Sequence, residues 1–115
     1  MSASAQSGPI DAAQGCAPVF AALGDETRLA LVAKLSERSP QSISRLAQGS
    51  NLTRQAISKH LAVLQNAGLV SSMRVGRESR YKFENSPVDG AKNYLDHVSS
   101  QWDQALARLR AFVER

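Results

Sequence analysis

The chain has 115 residues, of which 43% are hydrophobic and 21% are charged, and its net charge is +4 at neutral pH. This length favours a single domain, and the ordinary globular composition excludes a chain that is disordered throughout. The one cysteine excludes an intramolecular disulfide and is typical of a reducing compartment. There is no basic N-terminal segment and no apolar run of about 20 residues, so we expect no secretory signal, no membrane span and a cytoplasmic location.

The positive charge is concentrated in one part of the chain. Residues 53–82 contain six basic residues and one acidic residue, whereas the remainder contains eight basic and nine acidic residues. This distribution is typical of a surface that binds a polyanion.

The N-terminal residues 1–15 have no sustained apolar period, and we interpret them as a mobile tail. The alternative, an arm that contacts DNA, is disfavoured because this stretch contains no Lys or Arg. A first helix is predicted from Pro18; it carries Val19 and Phe20 and ends near Gly24.

Two further helices are predicted before the basic segment. Asp25 is placed to cap the first of them. Its predicted inward face consists of Leu29, Val32 and Leu35. A short helix is predicted over residues 42–48, and residues 49–51 form a tight turn after it.

A longer helix is predicted over residues 53–67, with Thr53 as its capping residue and Gly68 as its stop. Its apolar side chains recur at helical spacing: Ala56, Ile57, Leu61 and Leu64. Its other face begins with donors suited to base edges and phosphates: Arg54, Gln55, Ser58 and Lys59. A short helix, a turn and a longer helix with a basic face are typical of a helix–turn–helix whose second helix enters the major groove.

After this helix the sequence predicts a two-stranded hairpin over residues 70–83, with a glycine in its turn. Its basic side chains are Arg74, Arg77, Arg80 and Lys82. One interpretation is a "wing" that contacts DNA phosphates or the minor groove. The alternative is a hairpin whose charges serve only solubility and edge protection.

A last helix is predicted over residues 88–113, and its apolar residues are spaced as a heptad seam. The seam consists of Ala91, Leu95, Val98, Trp102, Ala105, Leu109 and Phe112. We expect a dimerisation helix; the alternative is a helix packed onto its own domain. The predicted organisation is therefore a tail (1–15), a winged helix–turn–helix core (16–86) and a dimerisation helix (87–115), in a mainly α fold.

Four segments of the chain together resemble the ArsR/SmtB family of bacterial winged-helix repressors. They are residues 20–28 (Phe-Ala-Ala-Leu-Gly-Asp-Glu-Thr-Arg), 42–47 (Ser-Ile-Ser-Arg-Leu-Ala), 52–64 (Leu-Thr-Arg-Gln-Ala-Ile-Ser-Lys-His-Leu-Ala-Val-Leu) and 67–70 (Ala-Gly-Leu-Val). The resemblance implies a homodimer that binds double-stranded DNA at an inverted-repeat operator and represses transcription. It also implies that the first and last helices form the dimer.

The predicted site residues follow from these arguments. Those expected to bind DNA are Thr53, Arg54, Gln55, Ser58, Lys59, His60, Arg74, Arg77, Arg80 and Lys82. Those expected at the dimer interface are Val19, Phe20, Leu95, Val98, Trp102, Leu109 and Phe112. For His60, a half-buried packing role is an equal alternative.

The sensor positions of the family depart from its metal-binding pattern. Ser42 and Ser44 stand where metal-sensing members have cysteines, and hydroxyls are poor ligands for soft metals. On the last helix only His97 matches a zinc ligand, since Leu95 replaces the aspartate and Arg108 and Ala111 occupy the later positions. We therefore expect no metal and no cofactor.

Several alternatives stay open at this stage. A winged-helix module that binds proteins is the alternative function, whereas no constellation typical of an enzyme is present. The inducer is a small molecule, a partner protein or absent, and Trp102 with Tyr94 are candidates to line a pocket at the dimer interface. Cys16 is interpreted as an inert thiol, with an intersubunit disulfide as the lesser alternative.

Overall fold

The computed structural model describes residues 9–114 and, among them, the side chains of residues 14–114. Five helices and three strands follow one another along this part of the chain. They are α1 (Pro9–Leu23), α2 (Glu26–Glu37), β1 (Gln41–Ser42), α3 (Ile43–Ala47), α4 (Arg54–Asn66), β2 (Val70–Val75), β3 (Glu78–Phe83) and α5 (Ser86–Val113). The predicted mainly α winged helix–turn–helix fold is confirmed.

Helix α1 begins much earlier than the sequence predicted. It starts at Pro9 and runs through Pro18, so the predicted start at Pro18 and the predicted tail over residues 9–15 are wrong. Ala12, Ala13 and Ala17 favour a helix here because alanine is the best helix former, and Pro9 occupies the first turn, where a missing N–H costs nothing. The rest of the predicted tail, residues 1–8, lies outside the described residues.

The predicted inward face of α2 is confirmed for Val32 and Leu35 and is wrong for Leu29. Leu31 and Leu35 are buried, whereas Leu29, predicted to point inward, is 52% exposed. Arg28 stands three and seven residues before the two buried leucines and therefore shares their face. The inward stripe thus opens with an arginine, which a search for apolar periodicity passes over.

Helices α3 and α4 form the predicted helix–turn–helix. The hydroxyl of Ser42 accepts a hydrogen bond from the backbone N–H of Arg45 (3.1 Å) and caps α3. Helix α4 ends in a Schellman arrangement, in which Gly68 (φ 77°) donates to the carbonyl of Gln65 and Leu69 donates to that of Leu64. These contacts fix where α3 begins and where α4 ends.

The core lies between the helix–turn–helix and the two outer helices. Ile57, Leu61 and Leu64 of α4 are fully buried, as the sequence predicted. The other buried apolar residues come from α1, α2, α3, the start of the hairpin and α5: Val19, Ala22, Leu31, Leu35, Leu46, Leu69, Val70 and Ala91. Burial of one face of α4 leaves its opposite face to solvent.

The three strands form an antiparallel sheet in the order β1–β3–β2. The hairpin of β2 and β3 was predicted, and Gly76 in its turn has a φ of 64°, as a two-residue turn with glycine first requires. Strand β1 was not predicted, because two residues are too few to show a period. It pairs Gln41 with Tyr81 and Ser42 with Arg80, and so joins the start of α3 to the hairpin.

Helix α5 is 28 residues long, which corresponds to about 42 Å. Its first turns pack against the core, where Ala91 is buried and Val88 is in contact. Within the described residues, no helix is both long and apolar enough to cross a bilayer.

Candidate DNA-binding surface

The N-terminal half of α4 carries the predicted base-reading side chains. Arg54, Gln55, Ser58 and Lys59 are all exposed. None of these four side chains forms a hydrogen bond or ion pair with another described residue. Because the opposite face of α4 is fixed in the core, these donors are held on one side with their hydrogen-bonding capacity unused. Such a helix can present them to the edges of base pairs in the major groove.

The two residues that flank this group have structural contacts. The hydroxyl oxygen of Thr53 accepts the backbone N–H of Ala56 at 3.0 Å and caps α4, as predicted. His60 is only 25% exposed and points toward the start of α2. The packing interpretation of His60 is therefore the one that its position favours.

Arg28, which was not among the predicted site residues, connects three helices at this point. Its Nε donates to the carbonyl oxygen of Ala22 at 2.6 Å, near the end of α1. Its Nη1 lies 3.3 Å from Nδ1 of His60 on α4, and its backbone N–H donates to the Asp25 carboxylate at 3.0 Å. The guanidinium thereby fixes the orientation of α4 relative to α1 and α2. The signal in the sequence is the Asp-Glu-Thr-Arg segment at residues 25–28, which is part of the resemblance to the family.

Asp25 lies beside the contact between Arg28 and His60. Arginine has only donors, so that contact is a hydrogen bond when Nδ1 of His60 is the acceptor. Oδ2 of Asp25 lies 3.8 Å from the same nitrogen. The hydrogen bond from the Arg28 backbone, aided by the charge of Arg28, holds the pKa of Asp25 below its usual value.

The basic residues of the wing fall on two different faces of the hairpin. In the ladder of β2 and β3, Arg74 pairs with Ser79, and Met73 pairs with Arg80. Paired residues share a face and successive residues alternate, so Arg74 lies on one face. Arg80 lies on the opposite face together with Lys82. The sequence-based prediction treated all four basic residues as one group.

The face that carries Arg74 is the one turned toward α4. Ser72 lies on this face and accepts a hydrogen bond from Gln65 of α4 at 3.4 Å. Arg77 stands in the turn beside Gly76, at the tip of the hairpin, and is exposed. Arg74 therefore lies on the side of the hairpin that faces α4, and Arg77 lies at its tip.

The residues predicted at a dimer interface separate into two groups. Val19 is 5% exposed and belongs to the core of its own chain, so little of its surface is available to a second chain. Phe20 is half-buried and its ring packs against Tyr94 of α5, with the ring centroids 6.3 Å apart. Helices α1 and α5 thus pack together within one chain at this end.

The far half of α5, residues 100–113, is different, because its large apolar side chains lie outside the core. Trp102 is 65% exposed, Leu109 is 58% exposed and Phe112 is also exposed, and so is Leu95 earlier in the helix. Leu106, which was not part of the predicted seam, joins them. A shallow depression of about 210 Å³ is lined by Trp102 with Val98, Gln101 and Ala105. Tyr94 does not line it.

The cysteine and the positions that hold metal ligands in other family members have few contacts in the structure. The thiol of Cys16 is half-buried and lies 3.6 Å from the carbonyl oxygen of Gly90. The hydroxyl of Ser42, at one of the positions where metal-sensing members carry cysteine, caps α3. Ser44, at the other such position, is exposed, and so is His97 of α5.

The three-stranded sheet and the pair α3–α4 define the molecule as a winged helix–turn–helix protein. Residues 25–72 match the family described as "Bacterial regulatory protein, arsR family". The chain belongs to this ArsR family of transcriptional regulators, which are not enzymes.

Individual relatives agree with this assignment. The chain is 42% identical to the HTH-type transcriptional regulator YuzN of Bacillus subtilis in an alignment that covers 67% of this chain and 87% of that protein. It is 34% identical to the arsenical resistance operon repressor of Escherichia coli, over 83% of this chain and 79% of that one. The solved structure of an ArsR-like transcriptional regulator from Rhodococcus sp. RHA1 has a TM-score of 0.75 at 40% identity. That match covers 86% of this chain and 92% of the other.

Proposed function

We propose that the chain is a homodimeric repressor that binds an inverted-repeat operator, with α4 in the major groove and the wing beside it. The observation that carries the proposal is the set of exposed, unused donors at the start of α4, held there by a helix whose other face is buried. Its relative in Escherichia coli is described as a repressor, which supports the direction of regulation. A regulator of this kind would act in the cytoplasm, on chromosomal DNA.

Arg54 and Gln55 are proposed to read bases. A guanidinium can bind guanine with two hydrogen bonds, and a glutamine amide can do the same with adenine. Ser58 and Lys59 lie one turn further along α4 and are assigned to phosphates or base edges. Arg77 at the wing tip is assigned to the backbone or minor groove, which positions the protein without specifying sequence.

The exposed seam of α5 supports the dimer. Monomeric soluble proteins rarely expose contiguous apolar patches larger than a few hundred Å². Trp102, Leu106 and Leu109 follow one another at helical spacing and are each more than half exposed, and a second copy of the same helix would cover them. A two-fold axis would then place two α4 helices on half-sites roughly 34–36 Å apart.

The experiment is selection of preferred sequences from a pool of random duplexes, followed by fluorescence anisotropy with the selected DNA. Arg54→Ala is expected to lose about 1–3 kcal/mol of discrimination at one base position. Arg77→Ala is expected to weaken selected and random duplexes alike. Arg110→Ala, on the exposed surface of α5, is the control and should bind as the wild type does. If no duplex is enriched and none binds at low salt, the proposal is contradicted, and the protein-binding alternative gains support.

A further inference from the structure

A polar cleft of about 280 Å³ opens between the end of α2, strand β1 and strand β3. Three arginines from three separate elements line it, and we call it the arginine notch: Arg38, Arg45 and Arg80. It lies away from the face of the hairpin that is turned toward α4, because Arg80 is on the opposite face from Arg74. Arg38 and Arg45 lie outside the predicted DNA-binding segment.

Backbone pairing brings the three arginines together. Ser42 of β1 pairs with Arg80 of β3, and the Ser42 hydroxyl accepts the backbone N–H of Arg45 on α3. Arg38 is the C-cap of α2, and its backbone N–H donates to the carbonyl of Lys34 at 3.1 Å. The positions of all three residues are therefore set by elements that the rest of the fold requires.

The charges in the notch are not balanced. Arg80 has one acidic neighbour, Glu78, at 3.5 Å. Within residues 9–114, the guanidinium groups of Arg38 and Arg45 have no hydrogen-bond or ion-pair partner. A second cleft of about 290 Å³ adjoins them and adds Lys34 and Glu37 to the lining. The combined surface has four basic and two acidic side chains.

The chemistry of the notch suits a phosphate group. Guanidinium groups bind phosphate oxygens through paired N–H donors, and unneutralised neighbours of like sign favour an anion between them. Two sources of such a group are a phosphodiester of the DNA backbone and a free phosphorylated molecule. The position favours DNA, because Arg45 is on the first helix of the helix–turn–helix, which crosses the DNA backbone, and Arg80 is on the wing.

We propose that the arginine notch binds a backbone phosphate of the DNA, on the side of the wing that faces away from α4 and next to the start of α3. This inference rests on the proposed function, namely that the chain binds DNA. It adds to that function a sequence-independent contact made mainly by Arg38 and Arg45. The contact fixes how the protein is seated on the duplex and does not select bases.

The test is the salt dependence of binding to a labelled random-sequence duplex, which reports phosphate contacts alone. The double variant R38Q/R45Q is expected to bind more weakly, and the slope of log affinity against log salt should fall by about 1, because one phosphate is no longer neutralised. Raising the salt from about 50 to about 200 mM would then cost the variant roughly 4-fold less affinity than it costs the wild type. Circular dichroism melting verifies that the variant is folded.

The matched control is K92Q/R110Q, which removes two exposed charges from α5 and should leave the slope close to that of the wild type. If R38Q/R45Q has the slope and affinity of a wild type that binds DNA, the inference about the notch is overturned while the proposed function stands. If the wild type itself binds no duplex, both fail. A second arm compares inorganic phosphate with chloride at equal ionic strength. If phosphate binds the wild type but not R38Q/R45Q, while the two proteins have the same salt slope for DNA, the site belongs to a free phosphate, and the assignment to the DNA backbone is overturned.

Discussion

Two regions of the molecule differ in how their regularly spaced apolar side chains are covered. They are buried by the chain itself between α2 and β3, and they are exposed in the far half of α5. In the first region, every large apolar residue on the inner face of α4 is fully buried, and both ends of that helix are capped. In the second, Trp102, Leu106 and Leu109 are more than half exposed, although they are spaced as regularly as any core stripe. Regular apolar spacing therefore establishes that a face will be covered, but not by which chain.

The two regions therefore differ in whether their packing depends on a second chain. The region from α2 to β3 is complete within one chain, so its failures should appear as unfolding. The far half of α5 depends on a second chain in the proposed dimer, so its failures should appear as dissociation. Substitutions in the two regions can distinguish these outcomes.

The largest expected effect is in the buried face of α4. Leu61→Ala removes a side chain with no exposed surface, and a loss of about 2–5 kcal/mol in the free energy of unfolding is expected from lost transfer energy and the residual cavity. Urea unfolding followed by circular dichroism measures it. Val63→Ala, on the same helix but 40% exposed, should cost much less. Equal losses for the two variants would show that α4 does not bury the face described here.

The next effect is in the seam of α5. Trp102→Glu places a charge where the second chain is proposed to pack, and the dimer dissociation constant should rise at least about 30-fold, as for an aromatic hot spot. Sedimentation equilibrium measures the constant, and far-ultraviolet circular dichroism should show that the helices persist. The control is Ser100→Glu, on the opposite side of the helix. A wild type that sediments as a monomer at all concentrations would contradict the dimer.

A smaller effect is expected at the junction of α1, α2 and α4. Arg28→Lys keeps the charge but loses the planar fork that reaches Ala22 and His60 together, so about 1–3 kcal/mol of stability should be lost. A double-mutant cycle of Arg28→Ala with His60→Ala should give a coupling of at least about 0.5 kcal/mol. The matched control is Arg38→Lys, because the guanidinium of Arg38 has no hydrogen-bond or ion-pair partner within residues 9–114. Additive effects in the cycle would show that the contact with His60 does not contribute.

The smallest effect is the dependence of stability on acid at Asp25. The hydrogen bond from the Arg28 backbone lowers the pKa of this carboxyl in the folded chain below its ordinary value of 3.8. The contribution of the ionised group is therefore present above that value and is lost as the pH falls through the lowered pKa. Asp25→Asn keeps the cap but removes the charge, so its stability should fall less steeply in this acid range. If the free energies of unfolding of the wild type and Asp25→Asn fell in parallel as the pH is lowered, the assignment of this acid dependence to Asp25 would be contradicted.

Much of the DNA-facing region could be predicted because single residues determine it locally. Thr53 caps α4 and Gly68 ends it through contacts within one turn, and the hairpin is set by Gly76 and alternating composition. Such signals lie next to the structures that they specify. The base-contact and phosphate-contact roles of the exposed residues remain predictions, because the unbound fold does not test them.

The features that escaped prediction depend on residues distant in sequence. Arg28 points inward because its partners are the end of α1 and His60, 32 positions away. The two residues of β1 are a strand only because β3 lies beside them. The division of the wing into two faces follows from the register of its strands, so Arg80 could not be separated from Arg74 by charge counting.

The most direct test of the account is the stoichiometry of the protein on its selected duplex, measured by native mass spectrometry or sedimentation of the complex. The account predicts two chains on each duplex and a selected sequence that is an inverted repeat. Trp102→Glu should lower the affinity for that duplex while retaining weaker binding by single chains. A single wild-type chain bound to an asymmetric site would contradict it, since the far half of α5 would then have no role in reading DNA.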